Sequence, residues 1–269
     1  MPGRASSQAA PAVRTLLAHI GQRVESYYRR AQSLVCIETS TVQPIRTNWE
    51  WDGMARTVVS ELRLESGATE RRDIRRINGR EPRERDKKER AGCTDPDLLT
   101  QEPLAFLLPD GREQYEFSAV REGREGNRAA LVIDFATANH RSHPKLIEDA
   151  RGHDDCFDWS GPIATRGQVW VDAVTHDVLR VDRHNLGPVD VFIPWALQRR
   201  YNFHDAYVTL DRDDMTLRYK EVTFSDPQET VVLPASIESM TIVRSGLQSQ
   251  RRTTTFSGYQ RFLTAGRIR

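Results

Sequence analysis

The sequence is poor in cysteine, has no long apolar run and carries almost no net charge. Its cysteines, Cys36, Cys93 and Cys156, form no C-x-x-C pair, which argues against a zinc ribbon or a thioredoxin-type redox pair. No stretch approaches the roughly 18 apolar residues of a membrane-spanning helix, so we predict no membrane span. A formal net charge of +1 gives no long-range field for phosphate backbones, and nucleic acid is therefore not expected as a partner.

The sequence also lacks the short motifs of several large enzyme classes. It contains no G-x-G-x-x-G, G-x-x-x-x-G-K-[ST], H-E-x-x-H or G-x-S-x-G, so dinucleotide, P-loop, zincin and nucleophile-elbow chemistry have no sequence support. We therefore assign no catalytic residue and no cofactor. A non-catalytic protein is the more natural interpretation.

The composition is that of a globular protein with a sizeable core. The 269 residues are 38% hydrophobic and 29% charged, which excludes both a disordered chain and a membrane protein class. Residues 1–11 are rich in Ser, Ala and Pro and are expected to be disordered, as after removal of a signal peptide. No linker or repeat divides residues 12–269, which we predict to form one domain of a periplasmic or secreted protein.

The apolar pattern predicts a helix followed by many strands. Apolar residues recur at three- and four-residue steps over 12–33, which indicates an amphipathic helix, and alternating segments follow from 34 onward. An apolar cluster over 95–111 indicates one or two short helices, interrupted at Pro103. Short turns join consecutive strands, so we predict an α+β fold built on an antiparallel sheet.

Residues 167–184, GQVWVDAVTHDVLRVDRH, predict a hairpin with one core face and one polar face. The residues expected to face the core are Val169, Val171, Leu179 and Val181. The residues expected on the other face are Trp170, Asp172, Arg180, Asp182 and His184. Cross-strand Asp–Arg pairs explain this polar face, whereas a catalytic dyad of Asp182 and His184 is the less favoured alternative. His176 is expected at a turn position with positive φ.

The same hairpin resembles a family. GQVWVDAVTHDVLRVDRHNLGPVDV, YKEVTFSDPQETVVLPASIESMTIV and the closing TTTFSGYQRF resemble the second half of LolA-like proteins, the outer-membrane lipoprotein-sorting and related carriers. The helix leading into VESYYRRAQSLVCIETSTVQ resembles exported bacterial proteins with this arrangement. The resemblance implies a single strongly curved antiparallel sheet, an unclosed barrel, with an N-terminal helix and short helices covering its concave side. In the carriers that cavity holds acyl chains.

Two aromatic or apolar groups are candidates for ligand binding. Leu104, Phe106 and Leu107 are expected to lie across an apolar groove, although packing of the same segment on the sheet as ordinary core is the alternative. Trp49 and Trp51 alternate in an extended segment and share a face, where they bind a ligand or cover a sheet edge. The expected ligand is a lipid or other hydrophobic small molecule.

Cysteine and histidine leave two further alternatives. A disulfide between Cys93 and Cys156 suits an exported protein, whereas three unpaired thiols suit a reducing compartment. Residues 140–156 hold His140, His143 and other potential ligands, but the spacing favours a surface loop over a metal site. The functions considered are thus a carrier, a structural or protein-interaction module with a self-filled sheet, and a metal-assisted hydrolase using this loop.

Overall fold

The computed structural model describes residues 11–31, 33–64, 71–83, 103–139, 141–148, 156–244, 247 and 249–261. Residues 1–10, for which disorder is expected, lie outside this part, and so do His140 and Cys93. Within the described part, no helix has both the length and the hydropathy to cross a membrane.

Thirteen strands of the described residues form one sheet, whose main path runs β3-β2-β1-β13-β12-β11-β9-β8-β5-β4. The small strands β10, β6 and β7 extend from β11. All pairs are antiparallel except β10 with β6. The strands are β1 (Leu34–Ile45), β2 (Arg56–Leu64), β3 (Arg71–Ile77), β4 (Tyr115–Glu125), β5 (Arg128–Thr137), β6 (Lys145–Glu148), β7 (Phe157–Ser160), β8 (Thr165–Asp172), β9 (Val178–Asn185), β10 (Val189–Phe192), β11 (Tyr207–Ser225), β12 (Gln228–Val243) and β13 (Ser249–Arg261).

Within the part of the chain that the structure describes, the helices after the first are short. Helix α1 spans Pro11–Arg30, close to the predicted 12–33. The described part of the apolar cluster forms a single 3-10 turn, Ala105–Leu107, and a short helix α2, Pro109–Arg112. A third helix, α3 (Trp195–Tyr201), ends at Asn202, which has a left-handed φ of 55°. The predicted α+β class with an antiparallel sheet is confirmed.

One row of paired residues crosses the whole main path of the sheet. Directly paired residues of neighbouring strands point to the same face, so this row reports the chemistry of one face. In order from β4 to β3 its members are Val120, Ile133, Val169, Val181, Leu217, Ile237, Thr254, Ser40, Val58 and Ile77. The row is apolar from β4 to β12 and turns polar at β13 and β1.

Two regions contain more regular structure than the sequence pattern indicates. The polar stretch 138–158 holds β6 and the start of β7, and the stretch before Asp214 holds α3 and the first half of β11. Leu146 of β6, Val191 of β10 and Val208 of β11 are buried together in a satellite cluster at the end of the sheet. A four-residue strand has too few alternating positions for its periodicity to be recognised in the sequence. Its burial is set by packing against residues that are distant in the sequence.

Candidate functional site

Helix α1 covers the apolar half of the row described above. Its inner face contributes Val13, Leu17, Ile20 and Val24, all buried. These four residues share one hydrophobic cluster with side chains of the sheet, which are Phe117, Ile133, Phe135, Val169, Val171, Val178, Val181, Leu217 and Tyr219. Much of the face that the sequence analysis expects to form a groove is therefore filled by the chain itself.

The segment 103–112 packs beside α1 on the same face. Leu104 and Leu107 are 2% and 0% exposed, so both are core residues. The Leu104 amide donates a hydrogen bond to the Tyr28 hydroxyl at 2.8 Å, which fastens the segment to α1. Phe106 is half-buried and its ring lies 4.9 Å from that of Phe135. A side chain at Gly111 would place its Cβ 2.1 Å from the Ala105 carbonyl oxygen, so the tight turn requires glycine.

A cleft remains between α1, this segment and the sheet. It encloses about 240 Å³ of space, part of which is open to solvent. Its apolar walls come from Val24, Leu104, Val178 and Val232, with two tyrosine rings and one ion pair completing the lining. The remaining lining residues are Tyr27, Tyr219, Arg23 and Asp177. Of the predicted ligand-binding residues, Leu104 lines this cleft, whereas Phe106 and Leu107 do not.

An ion pair borders the cleft on the side of the β8–β9 turn. Arg23 of α1 donates from Nε and Nη2 to the two carboxylate oxygens of Asp177, each at 2.8 Å. These hydrogen bonds raise the pKa of Arg23. One turn of helix earlier, the His19 ring stacks on His176 with centroids 5.4 Å apart. His176 has a φ of 60°, as predicted for the turn. The helix is thus tied to the hairpin at two points.

Tyr219 brings a polar atom into these apolar surroundings. Its hydroxyl is buried and has no hydrogen-bond partner within the described part of the chain. Burial raises the pKa of Tyr219 well above its usual value, with smaller contributions from nearby tyrosines. The Tyr27 ring meets the Tyr219 ring edge-on at 5.9 Å. An unpaired buried hydroxyl is costly, since water has been removed without replacement.

The other half of the same face carries a buried polar set. Arg72 donates from Nε to a Glu38 carboxylate oxygen at 2.7 Å, and the Glu38 residue is 2% exposed. Thr254 donates to the Ser40 hydroxyl at 3.2 Å, and both residues are buried. These polar groups compensate one another within the protein, so this half is an internally paired polar region and not an apolar groove.

The β8–β9 hairpin follows the predicted alternation up to a bulge after Trp170, where Val178 and not Leu179 pairs with Val171 and joins the core cluster. Val169, Val171, Leu179 and Val181 are all buried. Arg180 holds Asp182 through two hydrogen bonds of 2.8 and 2.6 Å. Both residues belong to β9, so this ion pair runs along one strand and is not the cross-strand pair that the sequence predicts.

The alternative dyad on this hairpin is not assembled. His184 Nδ1 contacts Asp214 at 2.8 Å, and Asp182 instead pairs with Arg180. The expectation for Asp172 was wrong in one respect, since this residue is buried. Its carboxylate accepts hydrogen bonds from the Val174 and Thr175 amides and from the Arg128 guanidinium. These three bonds compensate for its burial in the turn.

The two tryptophans of the β1–β2 loop lie away from the cleft. Trp49 and Trp51 are 55% and 78% exposed. Trp49 has a φ of 75°, so residues 46–54 form a folded loop and not the extended segment that the alternation suggests. The Arg212 guanidinium lies 4.6 Å from the centre of the Trp49 ring. The structure does not bring these tryptophans together with Leu104.

The cysteines and the histidine-rich loop are described in part. Cys156 is disulfide-bonded, and Cys36 is free and buried. Cys93 lies outside the described residues, so its pairing with Cys156 stays a prediction. Of the loop 140–156, His143 is exposed, whereas His140 and residues 149–155 lie outside the described part. Among the residues that are described, no group of three or more His, Cys, Asp or Glu is placed to hold a metal.

The residues that define the cleft were mostly missed in the sequence. Arg23 and Asp177 stand 154 positions apart, and no local pattern relates them. Tyr219 alternates with Leu217 on β11, which predicts its face. The amphipathic pattern places Val24 and Tyr27 on one side of α1. Such patterns predict which face of a helix or strand a residue lies on. Which residues that face contacts depends on the tertiary fold.

Comparisons with known proteins find similar structures but no similar sequences. No family model matches the chain, and no curated protein matches it. An outer membrane lipoprotein-sorting protein domain from Vibrio parahaemolyticus aligns over 93% of this chain and 94% of its own, with 9% identity and a TM-score of 0.39. A LolA superfamily protein from Nitrosomonas europaea aligns over 92% and 94%, with 9% identity and a TM-score of 0.38. The chain itself forms the unclosed antiparallel sheet with an N-terminal helix that its resemblance to LolA-like proteins predicts.

Proposed function

We propose that the protein is a non-catalytic binder of an apolar chain, which enters the cleft between α1 and the sheet. The observation that carries this proposal is the cleft itself, with apolar walls from Val24, Leu104, Val178 and Val232. The space of about 240 Å³ includes open solvent, so the enclosed part of the cleft is small and a ligand has to widen it. A single narrow chain suits this space better than a bulky ring system.

The energetics of such binding are favourable if the chain is several carbons long. Each methylene buried from water contributes about 0.8 kcal/mol, and association costs at least about 4 kcal/mol. A chain that buries about ten methylenes gains about 8 kcal/mol, which leaves about 4 kcal/mol at the smallest association cost, or a Kd of about 1 mM. The cleft borders α1, and an outward shift of α1 would lengthen it.

We also place the protein outside the cytoplasm. Cys156 is disulfide-bonded, and structural disulfides persist in oxidising compartments such as the periplasm. The thiol of Cys36 is buried, so its free state is compatible with the same compartment. A lipid or another hydrophobic molecule of the cell envelope is the ligand class that this location offers.

Binding of a fluorescent fatty-acid probe tests the proposal. The wild-type protein should show saturable binding, and Val232→Phe, which fills the cleft wall, should weaken it at least tenfold. Val174→Phe is the matched control: it makes the same change at a side chain of the β8–β9 turn that is 86% exposed and does not line the cleft. The control should bind the probe like the wild type.

Circular dichroism and thermal unfolding of both variants establish that they are folded. Native mass spectrometry of protein purified from a bacterial envelope should show co-purifying lipid in the wild type and less in Val232→Phe. Absence of saturable probe binding by the folded wild-type protein would mean that the chain fills its own cleft. The proposal would then be wrong.

A second candidate function is a protein-interaction module, and exposed aromatic residues at one end of the sheet favour it. The ends of several strands meet there. Ile45, at the end of β1, pairs with Ser249. The Val243 amide donates to the Ser249 hydroxyl, and Val243 pairs with Leu210 near the start of β11. The exposed members of this end, here called the aromatic end, are Trp49, Trp51, Phe192, Trp195 and Tyr207. Exposed tryptophan and tyrosine are typical of protein interfaces.

Photo-crosslinking tests this second candidate. A photoreactive residue at Trp51 or Trp195 should capture a protein partner in the native cell. Val174 serves as the control position, since it is 86% exposed but lies in the β8–β9 turn, toward the other end of β11. Equal capture at all three positions, or none at the aromatic end, would contradict a docking role.

A further inference from the structure

We infer that the ligand of the cleft carries a neutral hydrogen-bond acceptor, such as a ketone, ester or ether oxygen, which accepts from the Tyr219 hydroxyl. This inference rests on the proposed function and names its ligand class. It starts from two observations on Tyr219. Its hydroxyl is buried and lacks a hydrogen-bond partner in the described chain, and its side chain lines the cleft.

The neighbouring tyrosines show that Tyr219 is the exception. The Tyr259 hydroxyl donates to the Pro234 carbonyl at 2.8 Å, and the Tyr28 hydroxyl accepts from the Leu104 amide at 2.8 Å. Tyr219 pairs with Pro234 across β11 and β12, and the hydroxyl from which the Pro234 carbonyl accepts is that of Tyr259. The protein thus retains a donor in a place where phenylalanine would fill the same space without the cost of a buried unpaired hydroxyl.

A neutral acceptor fits the surroundings better than a charged one. The walls near Tyr219 are apolar, and a carboxylate buried among them would lose its hydration. The nearest cation of the cleft, Arg23, already has both carboxylate oxygens of Asp177 as partners. Its charge is therefore compensated within the protein. A carbonyl or ether oxygen needs one donor, and the Tyr219 hydroxyl supplies it.

A pair of probes of nearly equal shape tests this inference. 2-Undecanone and 2-methyl-1-undecene differ in one group, since an oxygen in the first is a methylene in the second. Displacement of the fluorescent fatty-acid probe gives an affinity for each. The ratio of the two affinities is measured in the wild type and is divided by the same ratio in Tyr219→Phe. The resulting quotient cancels the difference in water solubility between the two probes. We expect this quotient to favour the ketone about tenfold.

Tyr259→Phe is the matched control, because its hydroxyl already has a protein acceptor and does not line the cleft. The affinity ratio in this variant should equal that of the wild type. An equal ratio in the wild type and Tyr219→Phe would overturn the inference and leave the proposed function standing. If neither probe nor the fatty acid binds the wild type, the proposed function fails and the inference fails with it.

A measurement on the wild type alone keeps the inference testable if Tyr219→Phe does not fold. The carbonyl stretch of ¹³C-labelled 2-undecanone falls in frequency when its oxygen accepts a hydrogen bond. The bound ketone should absorb at lower frequency than the ketone in hexane. A bound ketone that absorbs as in hexane would show that no donor meets it, and the inference would be wrong.

Discussion

Arg23 of α1 and Asp177 at the end of the β8–β9 turn meet through two parallel hydrogen bonds, each 2.8 Å long. The planar guanidinium matches the carboxylate in this geometry, so both side chains are held in one orientation. The contact joins the helix to a hairpin 154 positions later in the chain. It fixes the position of α1 beside the cleft.

We expect a double-mutant cycle of Arg23→Met and Asp177→Asn to give a coupling energy of about 0.5–1 kcal/mol, since the pair is bidentate but partly exposed. Urea unfolding measures it. The pair Arg46 and Asp52 is the control, with side chains 61% and 49% exposed and a single 3.3 Å contact, and should give almost none. Equal coupling in the two pairs would show that the bidentate geometry adds nothing.

The buried pair of Glu38 and Arg72 should behave differently. Glu38→Ala leaves the Arg72 charge buried without its partner, so we expect the free energy of unfolding to fall by about 3–5 kcal/mol. The double variant Glu38→Leu with Arg72→Met removes both charges and should recover part of that loss. A double variant as unstable as Glu38→Ala would contradict this account, and thermal or urea unfolding decides between them.

Two aspartates should shape the acid limb of stability with opposite signs. Burial opposes ionisation of Asp172, but the Thr175 and Val174 amides and Arg128 outweigh it and lower the pKa. Its folded pKa therefore lies below the unfolded value near 3.8, so its stabilisation is present above about pH 4 and is lost as pH falls through the folded pKa. We expect Asp172→Asn to lose stability at pH 7 and progressively less toward pH 3.

Asp213 is the matched control for that measurement. Burial raises its pKa, against the effect of Arg183 and Thr241. A raised carboxyl pKa gives stabilisation that is present below the unfolded pKa and is lost as pH rises through the folded value. The difference between Asp213→Asn and the wild type should thus change with pH in the opposite direction. Parallel pH profiles for the two variants would contradict these assignments.

The cysteines give a prediction that also tests the compartment. Burial, with a smaller effect of Glu38, raises the pKa of Cys36 to about 12, so its thiol stays protonated and unreactive near pH 8. Peptide mapping without reductant should show Cys93 joined to Cys156. Alkylation of the folded protein should leave Cys36 unmodified, and its modification after unfolding is the control. Three thiols that all react in the native state would refute the pairing.

Alternation along the chain was enough to predict much of the sheet. β1 and β5 begin and end where the sequence pattern places them, because each carries four or more alternating positions with one face buried. The alternation of the strands places ten apolar residues inside, which are Val58, Leu62, Tyr115, Phe117, Leu131, Ile133, Val169, Val171, Leu179 and Val181. Eight of them are buried, while Tyr115 and Leu131 are half-buried at the edge of the helix-covered cluster. A long strand with a single buried face leaves few alternatives to its register.

The candidate site was predicted less well for a physical reason. Leu104 was identified by its apolar surroundings in sequence, but Arg23, Asp177 and Tyr219 carry no local sign of their contact. Charged residues are common on the outer faces of both α1 and the hairpin, so a sequence cannot say which pair meets. The same holds for Tyr219, because whether its buried hydroxyl finds a partner depends on the tertiary packing and not on its sequence neighbours.

The row of paired residues across the sheet sets a length. From Val120 on β4 to Ile237 on β12 it crosses five strand spacings, about 24 Å at the usual distance between strands. Beyond that point the hydroxyls of Thr254 and Ser40 meet whatever lies on this face. Because α1 already covers this apolar stretch, a bound chain is confined to the cleft beside the helix and does not run the length of the row.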